Sequence, residues 1–580
     1  MITKFSQTTM DSSLRVYALG GLDEPGKNLY CIETNDSIFI IEAGLKYPDL
    51  SNPGIDIIIP DTTFLKERAN KVRAIIISHA HDDEYGALPY LLKNVNVPVY
   101  CTQTTKNFIM ADYGKRYGNL MKFNIIKPSD DVLIHGYPFH FFGTSHTVME
   151  SFGFSMETPV GCIVYTGDYI SDFGVQGHFT FDIAKITKIA EQHPTLLMMS
   201  ESDGADKPGI VSPTHKISPH IKSFFEEGDK RIIIACYTQN MYIINEIIQL
   251  VIQNNKKIAI TNENFLNILP SFIANGDLVI PMANQCPIEQ INSVPKENLV
   301  ILITGSGEEL YNYIGDVAKG EAKDQHFYID KDDIFVMACP SVPSTEVKQV
   351  ETLDALYQTG ANIVNLTKKD LSSMHAQEED LKMMISIFRP TYYMPIEGPF
   401  RLMMANAKIA QGLGYPPERI FLVDNGTAVA FDAVGRPMLP FTQILNPGNI
   451  FIDGLGVGDV RSNIIDERTQ MSSSGVVVLS ALISSKNHLI KVKPKIEIKG
   501  VVSPNQIEEL QTAILRLFNA YLNELVSSPI LYIDVVMKKA IKAIGDEIFR
   551  QTNKRPIIIP SIIDVDNPTP IDIKLETESK

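Results

Sequence analysis

The chain has 580 residues, of which 44% are hydrophobic and 21% are charged, and its formal net charge is −16. This length is too great for one hydrophobic core and predicts several domains, while the composition is ordinary for a globular protein. No stretch is apolar enough for a membrane span or a signal core, so we expect a cytoplasmic protein with no membrane partner.

Charge and cysteine content narrow the possible functions. The negative net charge argues against a broad basic surface of the kind that binds nucleic acid, although it leaves room for local basic patches. The six cysteines are scattered without any CxxC pair, which predicts buried free thiols and excludes a disulfide framework or a thiolate zinc site.

The sequence pattern from residue 14 to 450 predicts two kinds of α/β organisation. From residue 14 to 212, short β-rich runs alternate with turns and helices, and polar residues follow the ends of several strands. Residues 213–371 contain apolar strands and amphipathic helices in the order typical of a parallel sheet. Residues 372–450 return to the first pattern. We therefore predict that 213–371 is a domain inserted into a core formed by 14–212 and 372–450.

The remaining residues predict a small separate module. Residues 451–464 are rich in glycine and are interpreted as a linker, and residues 1–13 as a flexible N-terminus. Residues 465–580 contain two strands, two long helices and a last strand, which indicates an α+β domain. The predicted fold class is thus α/β with an inserted α/β domain and a small C-terminal α+β domain.

A lysine-rich strand in the C-terminal module has two interpretations. In KVKPKIEIK the lysines at 491, 493, 495 and 499 alternate with apolar residues, as expected of a strand with one cationic face. It is either a solvated edge strand protected by lysines or a face directed at RNA or a protein partner.

Four residues at predicted strand ends suit a metal ion. His79 and His81 alternate in an extended segment, so both imidazoles can point the same way, and His146 and Asp168 follow later strands. Three histidines with one carboxylate are a donor set for zinc or manganese. The alternative is a set of structural histidines and a turn aspartate.

These residues also carry a family resemblance. SHAHDD at 78–83, SH at 145–146 and TGD at 166–168 resemble the motifs of the metallo-β-lactamase fold. The resemblance extends from about residue 14 to 565 and is to the ribonuclease J family of β-CASP nucleases; it rests further on LGGLDEPGKNLYCIE, IIEAGLKYPD, SESDGADKPG, HAQEEDLKMM, PIEGPFRLMMANAKIA and KRPIIIP. It implies a metallo-β-lactamase αββα sandwich, an inserted β-CASP domain and a C-terminal dimerisation domain.

The resemblance implies two metal ions and assigns their ligands. The first ion would be held by His79, His81, His146 and Asp168. The second would be held by Asp83, Glu84, the shared Asp168 and Glu397, where the family has histidines at the positions of both glutamates. In these departures the chain resembles the less active second paralogue found in some bacteria.

The two histidine-to-glutamate changes alter the chemistry of the second site. Each replaces a neutral ligand with an anion, which favours hard ions such as manganese or magnesium over zinc. Without a cation the carboxylates repel one another. The second site is therefore either rebuilt for a harder metal or weakly occupied, with one or two divalent ions (zinc, manganese or magnesium) per chain. We expect low residual activity.

Further roles are implied around these ligands. Glu201 corresponds to an acidic residue that orients a metal-site histidine. His375 resembles a histidine near the scissile phosphate and would act as general acid beside the metal-site Asp83, or else it caps the following helix. Leu371 replaces a family histidine, which puts 5′-phosphate recognition in question. The hydroxyls of Ser341, Ser344, Ser372 and Ser373 are candidate phosphate donors.

The resemblance implies a metal-dependent ribonuclease with 5′-to-3′ exonuclease and endonuclease action in RNA maturation and decay. Its partners would be single-stranded RNA and a second ribonuclease J chain, identical or paralogous, in a dimer or tetramer. Two alternative functions remain possible for this sequence: that of a largely non-catalytic RNA-binding subunit that stabilises an active paralogue, and that of a hydrolase of small molecules. The inserted domain disfavours the last, because a roofed cleft suits a polymer.

Overall fold

The computed structural model describes residues 13–49, 51–175, 177–323, 326–342, 345–454, 456–458, 462–528 and 532–567. The predicted flexible N-terminus lies outside the described residues apart from Ser13. The chain divides into two compact units, Met1–Tyr47 with Ile57–Ile450 and Pro48–Asp56 with Phe451–Lys580.

The first unit contains an eight-stranded mixed sheet. Its β-branched and aromatic strands are buried on both faces, as expected of a sheet covered on each side. The strands, in sheet order, are Thr442–Gln443, Thr427–Phe431, Leu14–Gly20, Leu29–Thr34, Ser37–Ile41, Val72–Ile76, Val99–Cys101 and Phe123–Ile125. The late strand Thr427–Phe431 pairs with the first strand of the chain, so both ends of the unit belong to one sheet.

A six-stranded sheet packs against the first. Its strands, in sheet order, are Tyr392–Pro395, Thr195–Ser200, Gly161–Tyr165, Phe152–Thr158, Tyr137–Gly143 and Asp131–Ile134. Val16 and Phe39 of the first sheet share one buried core with Phe139, Phe154 and Met199 of the second. The apolar faces of the two sheets therefore form the inner layer of a sandwich.

Helices cover the outer faces of both sheets. The first sheet carries Thr63–Lys66, Asp82–Tyr85, Leu88–Asn94 and Gln103–Tyr117, and the second carries Ile183–Gln192, Glu378–Phe388 and Phe400–Gly412. This is the αββα arrangement expected from the sequence.

A five-stranded parallel sheet interrupts the sandwich. Its strands, in sheet order, are Lys257–Ile260, Leu299–Gly305, Arg231–Tyr237, Asp333–Met337 and Asn362–Asn365. The associated helices are Ser218–Glu227, Met241–Gln253, Glu263–Asn275, Gly307–Lys319 and Glu346–Gln358. The chain then returns to the six-stranded sheet, where Tyr392–Pro395 pairs in parallel with Thr195–Ser200. The predicted fold class, with an α/β domain inserted in the sandwich, is confirmed.

The inserted domain packs on the sandwich through helices. Phe108 of Gln103–Tyr117 and Phe272 of Glu263–Asn275 have ring centroids 5.8 Å apart, and Asn107 donates a hydrogen bond of 2.7 Å to Ser271. Gln239 and Ser306, which follow strands of the parallel sheet, line one cleft with His81 and Glu397, which follow strands of the sandwich.

The second unit has its own α+β core. Its sheet has the order Leu489–Lys499, Val476–Ser484, Ile557–Asp564, and the helices Ile507–Ser527 and Ile533–Thr552 supply buried residues such as Phe518 and Ile544. The helix Ser462–Ser474 precedes the sheet. The stretch interpreted as a linker includes the end of Asn449–Asp453 and the short strand Gly456–Val457, while residues 455 and 459–461 lie outside the described residues.

The lysine-rich segment forms an edge strand. Leu489–Lys499 lies at one side of the three-stranded sheet, and its lysines are exposed while Ile496 and Ile498 are buried. Exposed lysines on an edge are consistent with a protected edge strand. Among the described helices, none combines the length and apolar character needed to cross a bilayer.

Candidate metal centre and cleft

The predicted first-metal ligands all lie just beyond the ends of sheet strands. His79 and His81 follow Val72–Ile76, His146 follows Tyr137–Gly143, and Asp168 follows Gly161–Tyr165. Gly167 has a φ of +58°, and a Cβ there would lie 2.7 Å from the carbonyl oxygen of Phe152. Glycine is thus required for the turn that brings Asp168 to the histidines.

The four donor atoms converge closely. His79 Nε2 lies 3.1 Å from His81 Nδ1 and 3.6 Å from Asp168 Oδ2, and His146 Nε2 lies 3.4 Å from His81 Nδ1 and 3.5 Å from Asp168 Oδ2. A tetrahedral ion with ligands at about 2.0–2.2 Å separates its donors by about 3.3–3.6 Å. The donor set therefore fits one tetrahedral divalent ion.

Each imidazole is oriented by a partner on its other nitrogen. His79 Nδ1 lies 2.9 Å from Ser78 Oγ, His81 Nε2 lies 2.7 Å from Thr147 Oγ1, and His146 Nδ1 donates to the carbonyl oxygen of Met374 at 2.7 Å. We assign the protons to these nitrogens, which leaves a lone pair on each of the three converging atoms. The sequence pattern does not identify these three partners.

Burial keeps the histidines neutral. It lowers the pKa of His81 to about 4 and the pKa values of His79 and His146 well below the ordinary value, and the neighbouring imidazoles lower them further. Neutral imidazole is the form that binds a metal ion.

The predicted second-metal ligands lie around this set. Glu84 Oε2 is 3.4 Å from His79 Nε2, and Glu84 Oε1 accepts a hydrogen bond of 2.8 Å from Asn28 Nδ2. Asp83 and Glu84 have carboxylate oxygens within 4.8 Å of each other and of a His81 nitrogen, and Glu397 groups in the same way with Asp203 and His375. Only oxygen donors come from positions 83, 84 and 397.

These carboxylates are crowded and buried. Burial raises the pKa values of Glu84, Glu397 and Asp168 well above their ordinary range, and repulsion from neighbouring carboxylates, including Asp83, raises them further. In the described part of the chain, Glu84 Oε2 and Asp168 Oδ1 are buried without a hydrogen-bond partner. Either a cation or protons must therefore balance this half of the centre.

Glu201 contacts a different histidine from the one expected. Its Oε2 accepts from His375 Nδ1 at 2.7 Å, and its Oε1 accepts from the backbone of Tyr169 and Ala376. It thus orients His375, whereas Ser78, Thr147 and Met374 orient the metal-site histidines. The sequence could not separate these cases, because Glu201 and His375 are 174 residues apart.

His375 is held as a cation and does not cap the following helix. Burial lowers its pKa, but the carboxylates of Glu201 and Asp168 outweigh this and raise it to about 10. The helix Glu378–Phe388 is capped instead by Gln377, which forms a capping box with Asp380. The capping alternative for His375 is therefore wrong.

A cleft of about 630 Å³ opens over the metal ligands, between the sandwich and the inserted domain. Ser341, Ser372 and Ser373 line it, as does Leu371, which is buried. Ser344 lies outside the described residues. Four cationic side chains that sequence reasoning missed also line the cleft: Lys46, Lys207, Lys368 and Arg401. They share the lining with the carboxylates of Asp82, Asp83, Asp203, Asp206 and Glu397, and Arg401 forms an ion pair with Asp206 at 2.8 Å.

Comparison with known proteins agrees with this architecture. The metallo-beta-lactamase superfamily matches residues 24–182, the ribonuclease J beta-CASP domain matches 229–356, and the ribonuclease J C-terminal domain matches 463–565. Ribonuclease J 2 of Staphylococcus aureus strain NCTC 8325 is 30% identical over 560 residues, covering 96% of this chain and 99% of that protein. Ribonuclease J 2 of Staphylococcus saprophyticus is 30% identical over 566 residues, with the same coverage.

Among solved structures, a protein of unknown function from Enterococcus faecalis V583 aligns with a TM-score of 0.49 and 15% identity, covering 72% of this chain and all of that chain.

The fold and the donor set define a metallo-β-lactamase protein with an inserted β-CASP domain. The full-length similarity to the staphylococcal proteins shows that the chain belongs to the ribonuclease J family. Membership supports an RNA nuclease that depends on divalent metal.

Proposed function

We propose that the chain is a ribonuclease J-type nuclease, acting as a 5′-to-3′ exonuclease and endonuclease on single-stranded RNA in maturation and decay. The observation that carries the proposal is the convergence of His79, His81, His146 and Asp168 beside a cleft whose lining includes lysine and arginine side chains. We also propose the following domain limits: a core formed by residues 14–212 and 372–450, an inserted domain at 213–371, a linker at 451–464 and a C-terminal module at 465–580.

The side chains of the centre have distinct proposed roles. A divalent ion held there would supply Lewis acidity and water activated near neutral pH. Asp83, beside His81 and Glu84, would orient the attacking water. His375 carries a proton and lines the cleft, so it can donate that proton to the departing 3′ oxygen, while Glu201 stabilises its charged form.

The cleft walls supply groups for the RNA backbone. We assign phosphate binding to the hydroxyls of Ser341, Ser372, Ser373 and Ser344. Lys207 and Lys368 offer ammonium groups in the same cleft. Leu371 offers no hydrogen bond, so any 5′-phosphate preference would rest on the serines and lysines.

We further propose that the second ion binds weakly and that turnover is low. Glu84 and Glu397 replace neutral ligands by anions in a buried cluster with raised pKa values, so magnesium or manganese would bind there with help from substrate phosphates. Loss of a second ion costs several kcal/mol of transition-state stabilisation, or about a hundredfold or more in rate.

The same two glutamates favour a second candidate function, that of a largely non-catalytic RNA-binding subunit. In this role the chain would stabilise an active ribonuclease J paralogue, with the C-terminal module as the dimerisation domain. The two functions differ in whether the intact first-metal set supports any cleavage.

A cleavage assay with metal analysis tests the proposal. Purified full-length protein is incubated with 5′-monophosphorylated RNA and manganese, beside His81→Ala, which removes one ligand of the first ion. We expect slow cleavage by the unaltered protein, none by the variant, and at least one fewer bound ion per chain in the variant. His135→Asn is the matched control, because His135 lies in an exposed turn.

Two results would decide against catalysis. Equal cleavage by His81→Ala and the unaltered protein indicates a contaminating nuclease, and RNA binding without cleavage in both supports the subunit function. A crystal structure of metal-loaded protein in which the four predicted ligands are scattered and no ion is bound would overturn the cleavage function. It would overturn the subunit function only to the extent that this function depends on the metal centre.

A further inference from the structure

A second cavity, of about 450 Å³, lies beside the cleft and takes no part in the proposed cleavage. It is formed where three neighbouring strands of the parallel sheet end: Arg231–Tyr237, Lys257–Ile260 and Leu299–Gly305. The helix Gln103–Tyr117 of the sandwich closes it on the other side. The carboxyl ends of parallel strands are the usual place for a ligand in such a sheet.

The cavity collects negative charge without any lysine, arginine or histidine in its lining. Four carboxylates line it, those of Asp82 and of the exposed residues Asp112, Glu263 and Glu309. Asp82 and Asp112 accept hydrogen bonds from the hydroxyls of Tyr47 and Tyr85, but none of the four forms an ion pair with a described basic side chain. Two helices, Glu263–Asn275 and Gly307–Lys319, begin at the cavity, and the four carboxylates outweigh the partial positive charge of about half a unit at each helix N-terminus. The lining therefore repels anions and favours a cation.

Unpaired hydroxyls give a second, independent indication of a ligand. Thr304 is only 4% exposed and lines the cavity, and its Oγ1 has no hydrogen-bond partner in the described part of the chain. Thr238 and Thr261, at the ends of the two adjacent strands, line the same cavity and also have buried Oγ1 atoms without a partner there. Buried polar groups without partners are rare, and a ligand that donates hydrogen bonds would satisfy these three.

The remaining lining is aromatic and amide. Tyr47, Tyr113 and Tyr313 supply aromatic rings, and Gln239 supplies a side-chain carbonyl oxygen, whereas that of Asn262 already accepts from the backbone of Phe265. Ring faces attract cations and also cover methylene groups. A bare metal ion would leave most of this volume unused, whereas a chain of methylenes with ammonium ends would fill it.

We propose that this cavity is a binding site for a linear polyamine, with one primary ammonium group among the carboxylates and threonine hydroxyls. An ammonium group has three donors and no acceptor, which matches a lining dominated by acceptors. Tyr47, Asp82, Gln239 and Ser306 line both this cavity and the cleft, so a second ammonium group would reach the cleft wall. The site is argued from its own lining and does not depend on the cleavage function.

Calorimetric titration of the full-length, metal-free protein with spermidine tests the site, in about 150 mM salt to suppress diffuse attraction to an acidic surface. We expect saturable binding of one spermidine per chain. The variant Glu263→Gln/Glu309→Gln should weaken it about tenfold or more. The control Glu308→Gln/Glu321→Gln removes the same charge from exposed side chains outside the cavity and should leave binding unchanged.

Two further measurements separate the amine from other ligands. Thr304→Val removes one hydroxyl at constant charge and should weaken spermidine severalfold, and magnesium should compete poorly. Equal weakening in the cavity and control variants, no saturable binding, or competition by magnesium as effective as that by spermidine would each overturn the proposal. His81→Ala should bind spermidine normally, so failure of the cleavage function would be seen separately.

Discussion

The two halves of the metal centre are built from opposite chemistry. In the histidine half, three neutral imidazoles each have a hydrogen-bond partner that directs the free nitrogen to a common point. In the carboxylate half, Glu84 and Glu397 add charge to a buried cluster that includes Asp168. The first half is preformed for an ion, while the second is stable only with a cation or bound protons. Replacing a ligand type can thus preserve the position of a site and change what it holds.

Restoring histidine in the carboxylate half should have the largest effect. We expect Glu84→His/Glu397→His to bind a second ion tightly and to raise turnover about a hundredfold, because two ions together stabilise attacking and leaving oxygens. Glu397 has a φ of +63°, a left-handed conformation that histidine adopts more readily than most residues. Metal content by elemental analysis and single-turnover cleavage rates measure the two effects.

The matched control for this double variant is Glu84→Gln/Glu397→Gln, which removes the same charge without adding imidazoles. It should not gain the second ion. Two bound ions with no increase in rate would contradict our proposal that a weak second site limits turnover, and two ions in the unaltered protein would show that the carboxylates hold a harder metal well.

An intermediate effect is expected from the orientation of His81. Thr147→Val removes the hydroxyl that lies 2.7 Å from His81 Nε2 and keeps the side-chain shape. Loss of such an outer partner weakens metal affinity by about 10- to 100-fold. Competition with a chelator measures the affinity, and Thr147→Ser, which keeps the hydroxyl, should bind metal like the unaltered protein. Equal affinity in both variants would mean that packing alone orients His81.

The comparison also shows what sequence can predict about such a centre. The convergence of His79, His81, His146 and Asp168 was predictable because each follows an apolar strand, and strand ends meet at one edge of a sheet. The partner of His146 was not, because Met374 acts through a backbone carbonyl, which any residue type would supply. The partner of His81 is Thr147, which follows His146 in the chain, and no sequence motif indicates that its hydroxyl contacts His81.

Contacts between side chains far apart in the chain could not be predicted from the sequence either. Glu201 and His375 meet because the chain leaves the six-stranded sheet after residue 200 and returns before residue 392. The order of elements predicted that return, and the family resemblance implied the αββα fold, but neither predicted which side chains would touch. The cationic lining of the cleft was hidden by the net charge, since Lys46, Lys207, Lys368 and Arg401 are scattered along the chain.

The smallest expected effect concerns stability without metal. A buried carboxyl whose folded pKa is raised binds its proton more tightly in the folded state, so its contribution to the free energy of unfolding is present at low pH and is lost as pH rises above its unfolded pKa of about 4.3. Glu84→Gln keeps the acceptor for Asn28 and cannot ionise. In chelator-treated protein, the variant should therefore gain melting temperature over the unaltered protein as pH rises from about 5 to about 8.

The difference in melting temperature between the two proteins at each pH isolates the effect of Glu84. The histidines, whose lowered pKa values favour the folded state as pH rises, are present in both proteins. Asp36→Asn is the control, since Asp36 is exposed in a turn and should give no such trend. Saturating manganese should abolish or reverse the advantage of Glu84→Gln if the ion occupies the carboxylate half. An advantage that persists unchanged with manganese would place the bound ion in the histidine half alone.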